Sequence, residues 1–78
     1  MEDIVADRVL DARGLFCPLP VLKARRQLRD LMPGQVLQIR ATDKSAEADF
    51  KAMCEAQGLD YLGMTLEGRV MTFSIRKR

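Results

Sequence analysis

The stretch LDARGLFCPLP, residues 10–20, decides the fold of the first half of this chain. A strand-like segment ends at Gly14, and a helical pattern starts at Pro18. Proline favours the first position of a helix, because its fixed φ suits the helix and its missing N–H would have no intrahelical partner there. The stretch therefore predicts Pro18 at position N1 and Cys17 as the N-cap. Pro20 would then fall at N3, where a missing donor breaks no intrahelical bond.

The predicted position of Cys17 at a helix N-terminus has a chemical consequence. The free N–H groups of Leu19 and Val21, together with the positive end of the helix dipole, favour an anionic sulfur. We therefore expect the pKa of the Cys17 thiol to lie below its free value of about 8.5, which makes the residue a candidate nucleophile. An inert N-cap is the alternative, but Ser, Thr, Asp and Asn fill that role more often than Cys.

The chain contains no histidine, which limits the chemistry available to this cysteine. A Cys-His pair, a Ser-His-Asp triad and any His-ligated metal site are excluded. Activation would have to come from the helix and from nearby cations, the first being Arg13. The cations that follow the cysteine face a single acid, Asp30, and they are Lys23, Arg25, Arg26 and Arg29. The sequence predicts a positive local field, although such a charge run is also typical of a solvated helix face.

Length and composition predict one small domain covering residues 1–78. The chain has 78 residues, of which 47% are hydrophobic, and no internal repeat or linker. Its net charge of +2 is too balanced for a bulk nucleic-acid binder but compatible with a basic face. The first residues, 1–7, are expected to be loose.

The N-terminal sequence predicts a cytoplasmic protein. It is acidic and lacks the cationic start and apolar run of a signal peptide, and no stretch approaches membrane-spanning length. The two cysteines, Cys17 and Cys54, are therefore expected to be free thiols. Cys54 falls on an apolar helical stripe and is predicted to be part of the core.

The apolar spacing predicts a helix from Pro18 to near Met32, followed by a strand. Pro33 and Gly34 end the helix, and from Leu37 apolar residues alternate with polar ones. A preceding short strand covers residues 9–12. The basic residues that stay outside the apolar stripe of the helix are Lys23, Arg26 and Arg29.

The second half of the chain predicts another helix and a closing hairpin. Residues 42–45 supply possible N-caps, and Gly58 marks the end of the helix. Two alternating segments around the Glu67-Gly68 turn then predict a β-hairpin. The final residues, 76–78, are expected to form a solvated tail.

The order β-α-β-α-β-β predicts an α+β fold, a two-layer α/β sandwich with a mixed four-stranded sheet. Right-handed crossovers would place both helices on one face if strands one and two, and strands two and three, are parallel neighbours. The alternating strands predict that the opposite face is largely wet.

Residues 10–20 closely resemble the signature of the TusA/SirA family of small sulfur-carrier proteins, in which Cys-Pro-x-Pro opens the first helix. The resemblance extends over nearly the whole chain, through Pro33-Gly34, Thr42-Asp43, Asp49, Cys54 and Gly58. Two positions depart from the common pattern. Leu59 stands where many members have histidine, and Phe16 precedes the cysteine where a polar residue is common.

The resemblance implies that Cys17 is the catalytic residue and accepts sulfane sulfur as a persulfide. The donor would be a cysteine desulfurase or a rhodanese-like protein, and the acceptor a further protein; no other cofactor and no metal are implied. Supporting roles around the cysteine would fall to Arg13, Gly14, Pro18 and Pro20. Partner docking would fall to Lys23, Arg26 and Arg29. Members serve tRNA thiolation, sulfur oxidation and cofactor-related pathways, and these residues select none of them.

The residues themselves also favour a carrier over a dithiol redox protein. Position 20 holds proline where a Cys-x-x-Cys motif would have its resolving cysteine. Two alternatives remain. The first is a small module that binds RNA or an acidic protein surface, although Phe50 and Phe73 are predicted to lie in the core and Tyr61 is the only tyrosine. The second is a redox sensor that uses Cys17, since an exposed thiol of low pKa is a target of oxidation.

Overall fold

The computed structural model describes residues 5–78, and its secondary structure follows the predicted order. The elements are β1 (Arg8–Ala12), α1 (Leu19–Asp30), β2 (Val36–Ala41), α2 (Ala46–Gln57), β3 (Asp60–Glu67) and β4 (Val70–Arg76). Two helices cover one face of a mixed four-stranded sheet. The predicted α+β sandwich is confirmed.

The strand order in the sheet is β1-β2-β4-β3. β1 is parallel to β2, whereas β4 is antiparallel to both β2 and β3. Strands β2 and β3 are thus not neighbours, because the hairpin docks with β4 on the inside. The reason is burial: β4 carries Phe73 and Ile75, both fully buried, whereas β3 has no buried residue and its pairing shifts near Gly63.

The core lies between the sheet and the two helices. Its largest fully buried side chains are Phe50, Phe73, Leu37, Ile39 and Ile75. The rings of Phe50 on α2 and Phe73 on β4 have centroids 4.8 Å apart and are tilted by 48°. Each such side chain contributes about 1.5–3 kcal/mol by leaving water, so this contact is a main link between α2 and the sheet.

The second helix begins and ends as its sequence predicts. Ser45 is the N-cap residue, although its side chain makes no capping hydrogen bond. Gly58 ends the helix in the left-handed conformation, with φ of 69°, which glycine adopts without a steric penalty. Cys54, in the last turn, is 3% exposed, so its predicted place in the core is confirmed.

Both ends of the described chain are held more firmly than predicted. The N–H of Asp7 donates to the Val36 carbonyl at 2.9 Å, and the Val36 N–H donates to Asp7 Oδ2 at 2.7 Å. Residues 1–4 of the segment predicted to be loose lie outside the described residues.

Residues 76–78 are not a free tail, although Arg76 and Arg78 are exposed to solvent as predicted. Arg76 and Arg78 both pair with Asp60, at 2.8 and 2.7 Å. The Lys77 backbone exchanges hydrogen bonds with Gly34 and Gln35, and its Nζ donates to the Arg29 carbonyl at 3.2 Å. The tail therefore packs beside the C-terminal end of α1.

Candidate functional site around Cys17

Cys17 lies in the loop that joins β1 to α1, and this loop is tied to the loop between β2 and α2. Gly14 has a φ of 79°, a conformation that favours glycine, and its N–H donates to Thr42 Oγ1 at 3.0 Å. The backbone N–H of Cys17 donates to Asp43 Oδ2 at 2.8 Å. The two bonds fix the backbone that carries the thiol.

Helix α1 begins one residue later than predicted. Pro18 is the N-cap, and Pro20 lies in the first helical turn, where it is buried. Cys17 therefore precedes the N-cap. The N–H of Leu19, which was expected to face the sulfur, donates instead to the Phe16 carbonyl at 2.9 Å.

The thiol of Cys17 is exposed, but its pKa is raised rather than lowered. The largest cause is its interaction with the Asp49 carboxylate, followed by partial desolvation and by the negative charges of Asp49 and Asp43; a hydrogen bond with Ser45 opposes them. The predicted thiolate is therefore wrong for the isolated protein. The sequence pattern located the helix start but not the two carboxylates near the thiol, Asp49 on α2 and Asp43 in the loop before it.

An acidic cluster borders the thiol on the side of α2. The Ser45 hydroxyl lies 3.0 Å from Asp43 Oδ2 and 3.0 Å from Asp49 Oδ2, and it can donate to either. Hydrogen bonds from the backbone of Cys17 and of Ser45 hold the pKa of Asp43 below its usual value. The sequence contained two signals for this cluster, since Asp43 and Ser45 were possible helix caps and Asp49 matched the family pattern. Neither signal indicated contact with Cys17.

A recess of about 360 Å³ opens beside the thiol, between α1 and α2. Its lining includes Cys17 and Asp49, the apolar side chains of Val21 and Met53, and Arg25 on α1. The recess is open and shallow. It suits a small group attached to the sulfur, and it leaves the thiol accessible to another macromolecule.

Of the residues predicted to support the thiol, Arg13 is engaged elsewhere. Its guanidinium contacts the Asp11 carboxylate through two hydrogen bonds of 2.8 Å. These bonds hold the pKa of Asp11 at about 2 and raise the pKa of Arg13. Arg13 is not among the groups that shift the pKa of Cys17. Gly14, Pro18 and Pro20, in contrast, shape the backbone on either side of the cysteine.

The residues predicted to dock partners lie on an exposed surface of α1. Lys23, Arg26 and Arg29 are all exposed, and within residues 5–78 none forms an ion pair. The acid in this region, Asp30, lies 3.8 Å from Arg8 instead.

Exposed apolar side chains adjoin the cysteine along the chain and continue onto α1. Phe16 is 73% exposed, Leu19 46% and Leu22 50%. Together with the α1 cations they form a mixed apolar and basic surface beside the thiol. Such a surface is more typical of a protein-binding site than of a small-molecule pocket.

Comparison with known proteins supports the resemblance seen in the sequence. The sequence profile of the family described as "Sulfurtransferase TusA" matches residues 8–77. A sulfur carrier protein TusA from Pseudomonas entomophila is 38% identical over 78 residues, which cover all of this chain and 98% of that protein. The putative sulfur carrier protein YrkI from Bacillus subtilis is 42% identical over 72 residues, or 92% of this chain and 96% of that protein.

Another relative is longer than this chain. The putative sulfur carrier protein YrkF of Bacillus subtilis is 45% identical over 69 residues, yet the chain spans only 37% of its length. The crystal structure of a SirA-like protein from Desulfitobacterium hafniense superposes with a TM-score of 0.74 at 26% identity. That match covers 88% of this chain and 95% of the other.

The fold and these relatives define a small sulfur-carrier domain. The chain belongs to the TusA family. In the part that the structure describes, no helix is long and apolar enough to cross a membrane.

Proposed function

We propose that this protein carries sulfane sulfur on Cys17 as a persulfide, receiving it from a donor such as a cysteine desulfurase and passing it to an acceptor protein. The observation that carries the proposal is the contrast between the two cysteines of a TusA-family chain. Cys17 is exposed at the surface, whereas Cys54 is buried. One thiol is thus available to a partner protein.

In the loading step, Cys17 Sγ attacks the terminal sulfur of the donor persulfide. A new bond forms between Cys17 Sγ and that sulfur, and the bond within the donor persulfide breaks. The donor sulfur leaves with the bonding electron pair and takes up a proton, so a thiol and a persulfide exchange places with no net oxidation. In delivery, an acceptor nucleophile attacks the terminal sulfur, and Cys17 leaves as the thiolate.

A carrier must hold the persulfide without discharging it onto itself. Position 20 is proline, and Cys54 lies in the core, where burial raises the pKa of its thiol to about 11. A buried thiol of high pKa is a poor nucleophile. The absence of a second reactive thiol favours carriage over internal disulfide formation.

Because the pKa of Cys17 is raised in the free protein, the proposal assigns activation of the thiol to the partner. In the free protein the carboxylates of Asp43 and Asp49 favour the protonated thiol. A cation of the donor beside Asp49 would offset this negative charge and favour the thiolate where attack occurs. Under this proposal the free carrier would also react slowly with oxidants, because oxidation requires thiolate character.

Docking would use the mixed surface beside the thiol. The apolar residues Phe16, Leu19 and Leu22 would supply contact area, and Lys23, Arg26 and Arg29 would steer an acidic surface of the partner.

The test is to incubate the protein with a cysteine desulfurase and cysteine, followed by mass spectrometry. We expect the mass of one added sulfur on the peptide that contains Cys17, its removal by a reductant, and no addition to Cys17→Ser. Cys54→Ala serves as the matched control and should load like the unsubstituted protein. Loading on Cys54, or equal loading of Cys17→Ser, would contradict the proposal.

No structural observation favours the two alternatives over sulfur carriage. For RNA binding, Phe50 and Phe73 are fully buried, and Phe16 is the one aromatic residue of the chain that is widely exposed. For redox sensing, the raised pKa of Cys17 lowers its reactivity with peroxide.

A further inference from the structure

A second groove continues from the recess at Cys17 along the seam between the two helices. It has a volume of about 300 Å³ and lies between the C-terminal half of α1, the end of α2 and the chain's tail. Arg25 and Gln57 line both the groove and the recess at Cys17. The recess and the groove therefore adjoin each other at these two side chains, and together they are called the depression, with the thiol at one end.

The far end of this depression is strongly positive. The groove is lined by four cations, namely Arg25, Arg29, Lys77 and Arg78. Of these, Arg78 pairs with Asp60, whereas the ion pairs of residues 5–78 include none of the other three. Arg25 and Arg29 are four residues apart on one helix, a spacing at which like charges repel. The fold therefore concentrates positive charge here at some expense of stability.

The cations of the groove are held on an apolar base. Leu28 is buried and Leu59 is half-buried against the core, and both line the groove. The Lys77 ammonium is positioned by its hydrogen bond to the Arg29 carbonyl. A ligand that fits has negative groups for the rim and an aliphatic portion for the base.

The length of the depression matches a short peptide. From the N-cap Pro18, which lines the recess, to Arg29, which lines the groove, the chain advances eleven residues at about 1.5 Å each, or about 16 Å. An extended peptide covers that length in four or five residues at about 3.3 Å per residue. A segment bound along the seam would place one residue at Cys17 and residues four or five positions away among the cations.

We propose that the groove binds an acidic stretch of the partner segment that carries the partner's own reactive cysteine. This inference rests on the proposed sulfur transfer and specifies the partner: its cysteine meets Cys17, and Asp or Glu side chains four or five residues away pair with Arg25, Arg29 and Lys77. The groove shares Arg29 with the docking surface described above, but Lys23 and Arg26 do not line it. The groove would therefore recognise a short segment of the partner, in addition to the contact between the partner and the mixed surface of α1.

The test uses thiol-disulfide exchange, so that it does not depend on persulfide chemistry. The probes are synthetic peptides whose cysteine carries a thionitrobenzoate group, with an acidic pair four and five residues before or after the cysteine. Matched peptides have Gln in place of the acids. Cys17 attacks the peptide sulfur, a disulfide forms, and thionitrobenzoate leaves with the electron pair and is measured by its absorbance.

At least one acidic peptide should react severalfold faster than its Gln counterpart, and high salt should remove the difference. The advantage should be lost in Arg25→Gln and in Lys77→Gln and kept in Lys51→Gln. Lys51 is the matched control, because it lies on α2 beside Glu47, outside the groove. Cys17→Ser provides the blank rate.

Equal rates for acidic and neutral peptides would overturn the proposal, as would an advantage that survives Arg25→Gln and Lys77→Gln. An equal loss in Lys51→Gln would show that the preference comes from net charge alone and would also overturn the proposal. Competition by a short RNA, without any preference for the acidic peptides, would assign the groove to another ligand. If the acidic peptides show no preference but Cys17 is loaded with sulfur normally, the proposed function stands and only the groove proposal fails. If the peptide preference is present but Cys17 is not loaded with sulfur, only the carrier role is rejected.

Discussion

The Asp43 carboxylate accepts a 2.8 Å hydrogen bond from the backbone N–H of Cys17, twenty-six residues earlier in the chain. This bond joins the loop that bears the thiol to the loop that precedes α2. The nucleophile is thereby positioned by two separate parts of the fold, although it lies on an exposed surface.

Replacing Asp43 with alanine should loosen the loop at Cys17. We expect a lower melting temperature and slower sulfur uptake from a desulfurase, because the thiol would no longer be held in one place. The neighbouring Lys44→Ala makes a matched control, since no hydrogen bond or ion pair in residues 5–78 involves the Lys44 side chain. Uptake and melting that are equal in the two variants would contradict this positioning role.

The Asp43 carboxylate should also contribute to the loss of folding stability at low pH. The pKa of Asp43 is lowered in the folded state, chiefly by the hydrogen bond from the Cys17 N–H. Its stabilising contribution is therefore complete above the unfolded pKa of about 3.9 and is lost as the pH falls through the lower folded value. Urea unfolding at pH 7 and near pH 3 should show a smaller loss on acidification in Asp43→Asn. An identical loss would mean that other carboxylates account for it.

The Asp49 carboxylate should control the ionisation of Cys17. Asp49→Asn removes the first and third causes of the raised pKa, so the thiol pKa should fall. The rate of Cys17 alkylation, which rises with pH as the thiolate forms, should then reach its midpoint at a lower pH and be severalfold faster at neutral pH.

The control for Asp49→Asn is Glu55→Gln, an exposed carboxylate on the same helix. It should leave the alkylation profile unchanged. Coincident profiles for the Asp49 variant and the unsubstituted protein would show that Asp49 does not set the pKa of the thiol.

Much of the fold was predictable because it follows from local patterns. Alternation defined the strands, and the glycine at position 58 marked the end of α2. The position of β4 between β2 and β3 was not predictable in this way. It depends on burial, since Phe73 and Ile75 of β4 are fully buried whereas no residue of β3 is. Burial of that kind is a property of the assembled sheet.

The exposure of Cys17 could be predicted from the sequence, but the charges around its thiol could not. The motif singled out Cys17, and the α1 cations suggested a positive field. The field at the sulfur is instead set by Asp49 and Asp43, which come from a distant part of the chain. Arg13, close in sequence, is taken up by Asp11. An argument from neighbours in the sequence therefore overestimated the effect of the cations on the thiol and missed the effect of the two carboxylates.

Cys54 should matter for stability and not for sulfur transfer. Its side chain is 3% exposed within the core, so Cys54→Ala leaves a small void and should lower the free energy of unfolding by about 1 kcal/mol. Denaturant unfolding measures the loss, and loading by a desulfurase should remain complete. Loss of loading with the fold retained would assign Cys54 a part in the chemistry.

The exposed face of α1 that carries Lys23 and Arg26 should control how fast the protein meets the sulfur donor. Lys23 and Arg26 are exposed and unpaired among residues 5–78, so the double change Lys23→Glu, Arg26→Glu reverses the local charge without removing a native ion pair. We expect sulfur uptake at limiting donor to fall at least severalfold at low salt and to differ less at high salt, because exposed charges act through screened long-range attraction. The single changes Lys23→Glu and Arg26→Glu are each compared with Arg69→Glu, on the exposed turn of the β3–β4 hairpin, which alters net charge by the same amount and should have little effect. Uptake that falls equally with Arg69→Glu would indicate that net charge, rather than the surface of α1, attracts the donor.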